Sequence, residues 1–364
     1  MYRICKMVTK NHSILLTGAS GFAGSHMLRC LLKNTTSHIF CPVTYRHGGS
    51  EKRIKSIVSS EFTEKYTVFE CDLAQENLND FDFLSDVSLI INFASESHVD
   101  RSITEPRNFM SNNINLMINL LEFARLKSRD LQFIHISTDE VYGALDKSFN
   151  NAEWTQPHLP SNPYSASKSA QESLVVSYYK TFDLNISIIN STNILGEGQN
   201  QEKYIPKVIR KILNNEDISV DTDIYGTMGS RKYVYAGDVA DAVNLISKLQ
   251  NNSHKFTSKK NLPERFHISG IDELSNLEIV KIISKILNME SKININPSPR
   301  PGYDLRYELS SNKLRDLGWV ESKPIIQRLK EIVEWTVSRP EWLNIDYAPK
   351  SKNFYRLSTI QVVG

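Results

Sequence analysis

The chain has 364 residues, 40% of them hydrophobic and 23% charged, with 43 basic against 41 acidic residues and a net charge of +2. That is enough for a large core, in one big domain or two interleaved ones, and the near-neutral balance gives no bulk attraction to nucleic acid or a membrane surface. No apolar run is long enough to span a bilayer, no signal-peptide core opens the chain, and Cys5, Cys30, Cys41 and Cys71 lack CxxC spacing, so a cytoplasmic protein with reduced structural thiols and no metal is expected.

Residues 13–17 read as a short apolar strand running into T-G-A-S-G-F-A-G at 17–24, after which 25–33 are helical in pattern. Strand, glycine turn and helix are the context in which such a motif means dinucleotide binding. Gly18, Gly21 and Gly24, with Phe22 and Ala23 between them, let backbone approach a pyrophosphate, and the helix N-terminus faces its charge. The spacing is GxxGxxG rather than GxGxxG.

A second strand is expected over 38–45. In an NAD binder its end carries an acid for the adenosine ribose; here stand Thr44, Tyr45 and Arg46, with Lys52 and Arg53 nearby. A missing carboxylate and an added guanidinium favour a 2′-phosphate, hence NADP over NAD. The alternative is a solvated Arg46 with NAD bound. A third strand over 66–69 ends at Cys71-Asp72-Leu73, where Asp72 could meet the adenine amino group. The apolar strand 87–93 ends at Phe93 and is followed by Ala94 and Ser95, small enough for backbone to approach the cofactor. The long helix 112–127 continues the strand–helix alternation, which predicts a doubly wound parallel sheet.

The apolar run 131–136 leads into S-T-D-E-V-Y-G at 137–143. This places Thr138, Asp139 and Glu140 at a strand's carboxyl end, where open α/β sheets bind ligands. Two acids and a hydroxyl there suit proton transfer, although in isolation they also suit a polar turn. Downstream, Pro163 opens a helix carrying Tyr164 and Lys168 four apart on one face. An ammonium beside a phenol favours phenolate and lowers its pKa, giving a base for a sugar hydroxyl.

With these motifs the chain resembles the extended short-chain dehydrogenase/reductases, and within them the nucleoside-diphosphate-glucose 4,6-dehydratases. The likeness is carried by the glycine turn, N-F-A-S-E-S-H-V-D-R-S at 92–102, S-T-D-E-V-Y-G, Y-S-A-S-K at 164–168, Glu202-Lys203, G-S-R-K-Y-V at 229–234, Asn276 and R-P-G-Y-D at 300–304. It implies that Tyr164 takes the glucose O4 proton while the C4 hydride passes to the nicotinamide. Thr138 would bond O4, and Ser137 would position the nicotinamide with Asn112, which replaces a commoner Thr. Lys168 would hold the nicotinamide ribose. Glu140 would remove the C5 proton and Asp139 would protonate the departing O6, after which the hydride returns to C6. One acid must then be protonated and its neighbour ionised. Asn193 and Ser97 would touch the sugar. Lys203 and Arg231 would bind the diphosphate, and Asn276, Arg300 and Asp304 would lie near the diphosphate, ribose or base. Asn190 and Leu195 stand where the family often has Arg and Tyr.

The resemblance implies a Rossmann domain (1–190 and 233–250), a smaller, mostly helical nucleotide-sugar lobe (191–232 and 251–345), a C-terminal extension (346–364) and a homodimer. The product would be a 4-keto-6-deoxyglucose nucleotide on the way to 6-deoxysugars such as rhamnose, with UDP- or dTDP-glucose as substrate. Alternatives are a 4-epimerase or decarboxylase of the same fold, against which the acid pair argues, and a non-catalytic cofactor-sensing protein.

Overall fold

A computed structural model of the chain describes residues 12–46, 48–144, 154, 156–252, 261–297 and 305–343. The N-terminal part alternates strands and helices: β1 (Ser13–Thr17), α1 (Phe22–Asn34), β2 (His38–Val43), α2 (Glu51–Ile57), β3 (Tyr66–Glu70), β4 (Val87–Asn92), α3 (Val99–Thr104), α4 (Pro106–Lys127), β5 (Gln132–Thr138), α5 (Pro163–Phe182) and β6 (Asn185–Ser191). The remainder holds β7 (Asn193–Leu195), α6 (Tyr204–Leu213), β8 (Asp217–Thr222), β9 (Ser230–Tyr235), α7 (Ala236–Asn252), β10 (Glu264–Ile268), β11 (Glu273–Ser275), α8 (Asn276–Leu287), β12 (Lys292–Pro297), α9 (Asn312–Asp316) and α10 (Ile325–Val337).

Seven strands form one sheet in the order β3-β2-β1-β4-β5-β6-β10, every pair parallel. The doubly wound sheet read from the alternation is therefore what forms. Side chains alternate across a strand, and both faces of this sheet are covered, so its central strands bury apolar residues on both sides. Leu16, Ile91, Ile134 and Ile189 pack towards α1 and α7 with Met27, Leu28 and Val243. Their neighbours Leu15, Ile90, Phe133 and Ile188 pack on the other face against Leu116, Met117 and Leu120 of α4 and Val175 of α5.

The seventh strand, β10, comes from a stretch expected in the smaller lobe. Conversely, Tyr233–Tyr235, expected in the Rossmann part, ends β9 of a separate sheet, β11-β9-β7. A mostly polar stretch, 251–261 (N-N-S-H-K-F-T-S-K-K-N), interrupts the apolar pattern before β10, yet Phe266 and Ile268 are fully buried against the large sheet's core. Beyond the large sheet a third apolar cluster joins Ile205, Val208 and Ile209 of α6 to Val220, Tyr233, Ile279, Leu329 and Val333. No helix among the described residues is long and apolar enough to cross a membrane.

Candidate active site

The sheet order reverses between β1 and β4, and a crevice opens at their carboxyl ends. Thr17 Oγ1 donates to Asn92 Oδ1 at 2.6 Å and accepts from the Ala94 amide at 3.2 Å, tying the two tips together. The turn after β1 is built for close approach. Gly18 has φ +74° and lies so near Phe93 that a Cβ would meet its carbonyl carbon at 2.7 Å; a Cβ on Gly24 would fall 2.0 Å from Gly18 O. Gly21 faces the open cleft, and a Cβ there would meet only Gly18 O, at 3.0 Å. The turn thus leaves backbone room for a phosphate at the start of α1.

A cleft of about 780 Å³ runs from this turn to α6 and α8. It gathers Gly18, Gly21, Phe22, Ala23, Gly24, Phe93, Ser95, Ser97, Ser137, Thr138, Asp139, Glu140, Tyr164, Lys168, Asn193, Lys203, Arg231 and Asn276 from across the sequence. An adjoining hollow of about 140 Å³ takes Thr44, Arg46, Asp72, Leu73, Ala94 and Asn112. Arg300 and Asp304 lie outside the described residues.

Strand β5 ends in buried Ser137 and Thr138, and a short 3-10 turn, Asp139–Tyr142, follows. The Thr138 hydroxyl caps that turn, accepting from the Glu140 amide at 3.3 Å, and lies 3.1 Å from Asp139 Oδ1. Helix α5 begins with an Asn162–Ser165 capping box and Pro163 in its first turn, which together fix where Tyr164 emerges. Asn162 Nδ2 also reaches Glu140 Oε2 at 3.4 Å.

The electrostatics separate these groups. Burial, and then the neighbouring Glu140 carboxylate, push Asp139 up to about 7, against the pull of Arg231. Burial and the Glu140 charge also push the Tyr164 phenol upward, against the Thr138 hydroxyl bonded to it. Burial pulls Lys168 down to about 7. The expected lowering of Tyr164 by Lys168 is absent here. The ammonium instead donates to Ile136 O at 2.7 Å and Gln171 Oε1 at 2.9 Å. Lys203, also pulled down by burial, donates to Ser97 O at 2.8 Å. Arg46 and Asp72, read separately from the sequence, form an ion pair with each other at the rim of the smaller hollow. His98 caps α3, its Nδ1 accepting from the Arg101 amide at 3.1 Å.

Several cleft residues escaped the sequence reading. Lys207 lines the cleft one turn after Lys203 on α6, a neighbour that i,i+4 spacing alone could have supplied. Glu96 and Arg101 pair at its floor. Arg265 is fully buried and no local pattern marks it, while Arg53, read only as one of the cations after β2, is buried as well.

The model of one family, described as GDP-mannose 4,6 dehydratase, matches residues 15–332. The chain belongs to this family. It is an extended short-chain dehydrogenase/reductase resembling the nucleoside-diphosphate-glucose 4,6-dehydratases. A trifunctional UDP-glucose 4,6-dehydratase/UDP-4-keto-6-deoxy-D-glucose 3,5-epimerase/UDP-4-keto-L-rhamnose-reductase of Arabidopsis thaliana is 31% identical over 92% of the chain. The chain spans only 48% of that relative's length. A dTDP-glucose 4,6-dehydratase of Haemophilus influenzae is 31% identical, covering 89% of this chain and 97% of its own. The dTDP-glucose 4,6-dehydratase DesIV of Streptomyces venezuelae, solved with NAD and TYD bound, superposes with a TM-score of 0.79 at 27% identity, over 91% of this chain and 98% of the other.

Proposed function

We propose that the protein is a nucleoside-diphosphate-glucose 4,6-dehydratase acting on UDP- or dTDP-glucose. The observation that carries this reading is the acid pair Asp139–Glu140 at the end of β5, beside Thr138 and facing the same cleft as Tyr164. A hydride-transfer site without dehydration has no use for two more carboxyls beside its tyrosine.

The glycine turn, Phe93 and Ser95, the hollow lined by Thr44, Asp72, Leu73 and Ala94, and the cleft residues Ser137 and Lys168 would hold a nicotinamide dinucleotide. When bound, it supplies the acceptor and later the donor of a hydride. Tyr164 takes the 4-hydroxyl proton, and Thr138 steadies O4. The resulting ketone acidifies C5–H; Glu140 removes that proton and gives it back to C5 once C6 has been reduced. Asp139, held protonated near neutrality by burial and by Glu140, gives its proton to the departing O6 hydroxyl, which leaves as water. Asn193 and Ser97 bear on the sugar; Lys203, Arg231 and Asn276 bear on the diphosphate end, cations and amides suiting its oxygens.

NADP is modestly favoured over NAD. Arg46 stands where an NAD binder has its acid, though its charge is shared with Asp72. The pair α4 and α5, packed on each other with Leu126 and Phe182 exposed, is the proposed homodimer face. A Rossmann part and a nucleotide-sugar lobe remain the proposed division, with β10 assigned to the former.

Purified protein is to be incubated separately with UDP-glucose and dTDP-glucose. Loss of water and a base-induced 4-keto chromophore are expected with at least one of them. A 4-epimer as product would support an epimerase instead, and no product from either would sink the dehydratase reading.

A further inference from the structure

The most deeply buried guanidinium in the described chain lies behind the acid pair. Arg265, on β10, is 1% exposed, and no step of the mechanism above uses it. Its two terminal nitrogens reach three different elements. Nη2 meets Glu172 of α5 at 2.6 Å. Nη1 donates to Asn190 Oδ1 on β6 at 2.8 Å and to the Tyr142 hydroxyl at 2.9 Å. The guanidinium also stacks over Trp154, 4.0 Å from the ring centroid.

Each partner leads into the reacting groups. Tyr142 closes the 3-10 turn that holds Asp139 and Glu140, and its hydroxyl pairs with His267 at 2.9 Å. Asn190 donates to Thr138 O at 3.0 Å and to Glu172 Oε1 at 2.7 Å, so its amide bridges the end of β5 to α5. Glu172 lies one helical turn beyond Lys168 and two beyond Tyr164 on α5. A single planar cation therefore ties the acid-pair turn, the last residue of β5 and the tyrosine–lysine helix together. An ion pair this deep is poor evidence of added stability, since removing two charges from water offsets most of their attraction. Its geometric consequence is sharper. Arg presents a rigid fork of donors that fixes the directions of its partners, which a lysine's point charge does not.

We propose that Arg265 is a positioning residue that sets the Asp139–Glu140 turn in register with the Tyr164–Lys168 helix. It acts through Glu172, Asn190 and Tyr142 and touches neither substrate nor cofactor. The proposal rests on the dehydratase reading. Oxidation at C4 depends on α5, whereas elimination depends on the turn. Loosening the joint between them therefore slows elimination after oxidation has occurred, and misplacement by about 1 Å is enough for roughly a hundredfold.

The test uses full-length Arg265→Lys and the double variant Glu172→Gln/Arg265→Met. The first keeps a charge opposite Glu172; the second removes both charges, so that neither is left buried alone. Wild type forming the 4-keto product establishes the dehydratase reading independently, and its failure would count against that reading alone. Dinucleotide affinity is read by quenching of tryptophan fluorescence, and reduced nicotinamide by its near-ultraviolet absorbance after mixing with nucleotide-glucose. The expected result is dinucleotide Kd and sugar-nucleotide KM within about threefold of wild type, kcat lower by about tenfold or more, and reduced nicotinamide accumulating in the variants and not in wild type. The proposal is overturned by kcat within twofold of wild type, by a fall in kcat without that accumulation, or by failure of both variants to fold, which would make Arg265 a purely structural residue.

Discussion

Asp139 is the residue at which burial is most directly converted into chemistry. Its folded pKa, about 7, stands above the ordinary 3.8 because burial and the Glu140 charge both disfavour the carboxylate. As the proposed acid for O6 it must hold a proton, so turnover should fall as pH rises through about 7. Asp139→Asn should lower kcat by about 10²–10⁴-fold and remove that fall from the pH profile. The same shift has a cost in stability, and its sign is fixed by linkage. Between pH 4 and 7 the unfolded chain releases this proton while the folded chain keeps it, so stability drops across that window and stays lowered above it. At about 1.4 kcal/mol for each pH unit, the ceiling is roughly 4 kcal/mol. Asn escapes this, so the variant should gain stability over wild type at pH 8 and gain little at pH 4. Urea unfolding at the two pH values measures it, and an equal difference at both would refute the assignment. The sequence made Thr138, Asp139 and Glu140 legible because a contiguous polar triplet after an apolar strand is unusual. It could not reveal which acid keeps the proton, since that depends on burial by distant chain. Nor could it show that burial and Glu140 push the Tyr164 phenol upward while the Lys168 ammonium bonds Ile136 O and Gln171.

At the level of elements, β1, the glycine turn and α1 were legible together because their signals are local. Strand β10 was not. Its five residues follow a polar stretch, and only its pairing with β6, from Glu264↔Ser187 to Ile268↔Ser191, gives it a place. Likewise Arg53 read as one of three cations after β2, and only the fold turns it inward. The glycine turn makes a prediction of its own. The Gly24 Cα faces Gly18 O so closely that an added methyl, 2.0 Å away, requires α1 to shift from the turn. The atom in the way is backbone, so no side chain can yield. Gly24→Ala should therefore lower the melting temperature and abolish measurable dinucleotide binding. Gly226→Ala is the control: it has φ +82° and nothing within 4 Å of the new Cβ. It should cost only about 1 kcal/mol from backbone strain. Differential scanning fluorimetry with and without dinucleotide separates the two, and a Gly24→Ala protein stabilised by dinucleotide as wild type is would contradict the turn's assigned role.

Across the whole molecule, Arg53 joins the glycine turn and the loop after β2 to the loop after β7, all of which border the cleft. It is 4% exposed. Its guanidinium donates to Ser20 O at 2.7 Å in the glycine turn and to Gly48 O at 2.6 Å after β2. It also donates to Gly198 O at 2.8 Å and Asn200 Oδ1 at 2.5 Å in the loop after β7. Trp342, near the last described residue, covers it with its ring centroid 5.5 Å away. Among the described residues no carboxylate lies within ion-pair distance; Glu202 acts on it only from further off. The cation is thus satisfied by neutral acceptors belonging to all three segments, each such bond contributing about 1.5–3 kcal/mol when its donor is charged. A glutamine is too short and has too few donors to replace them. Arg53→Gln should lower the melting temperature and, because one bond set spans all three segments, weaken dinucleotide binding and raise the sugar-nucleotide KM together, each by about tenfold or more. Arg53→Lys should retain part of each, its ammonium reaching some acceptors without the fork. The decisive measurement is the pair of constants in the folded Gln variant. If dinucleotide binding weakens while the sugar-nucleotide KM stays within twofold of wild type, Arg53 supports only the turn and the loop after β7 is held by something else.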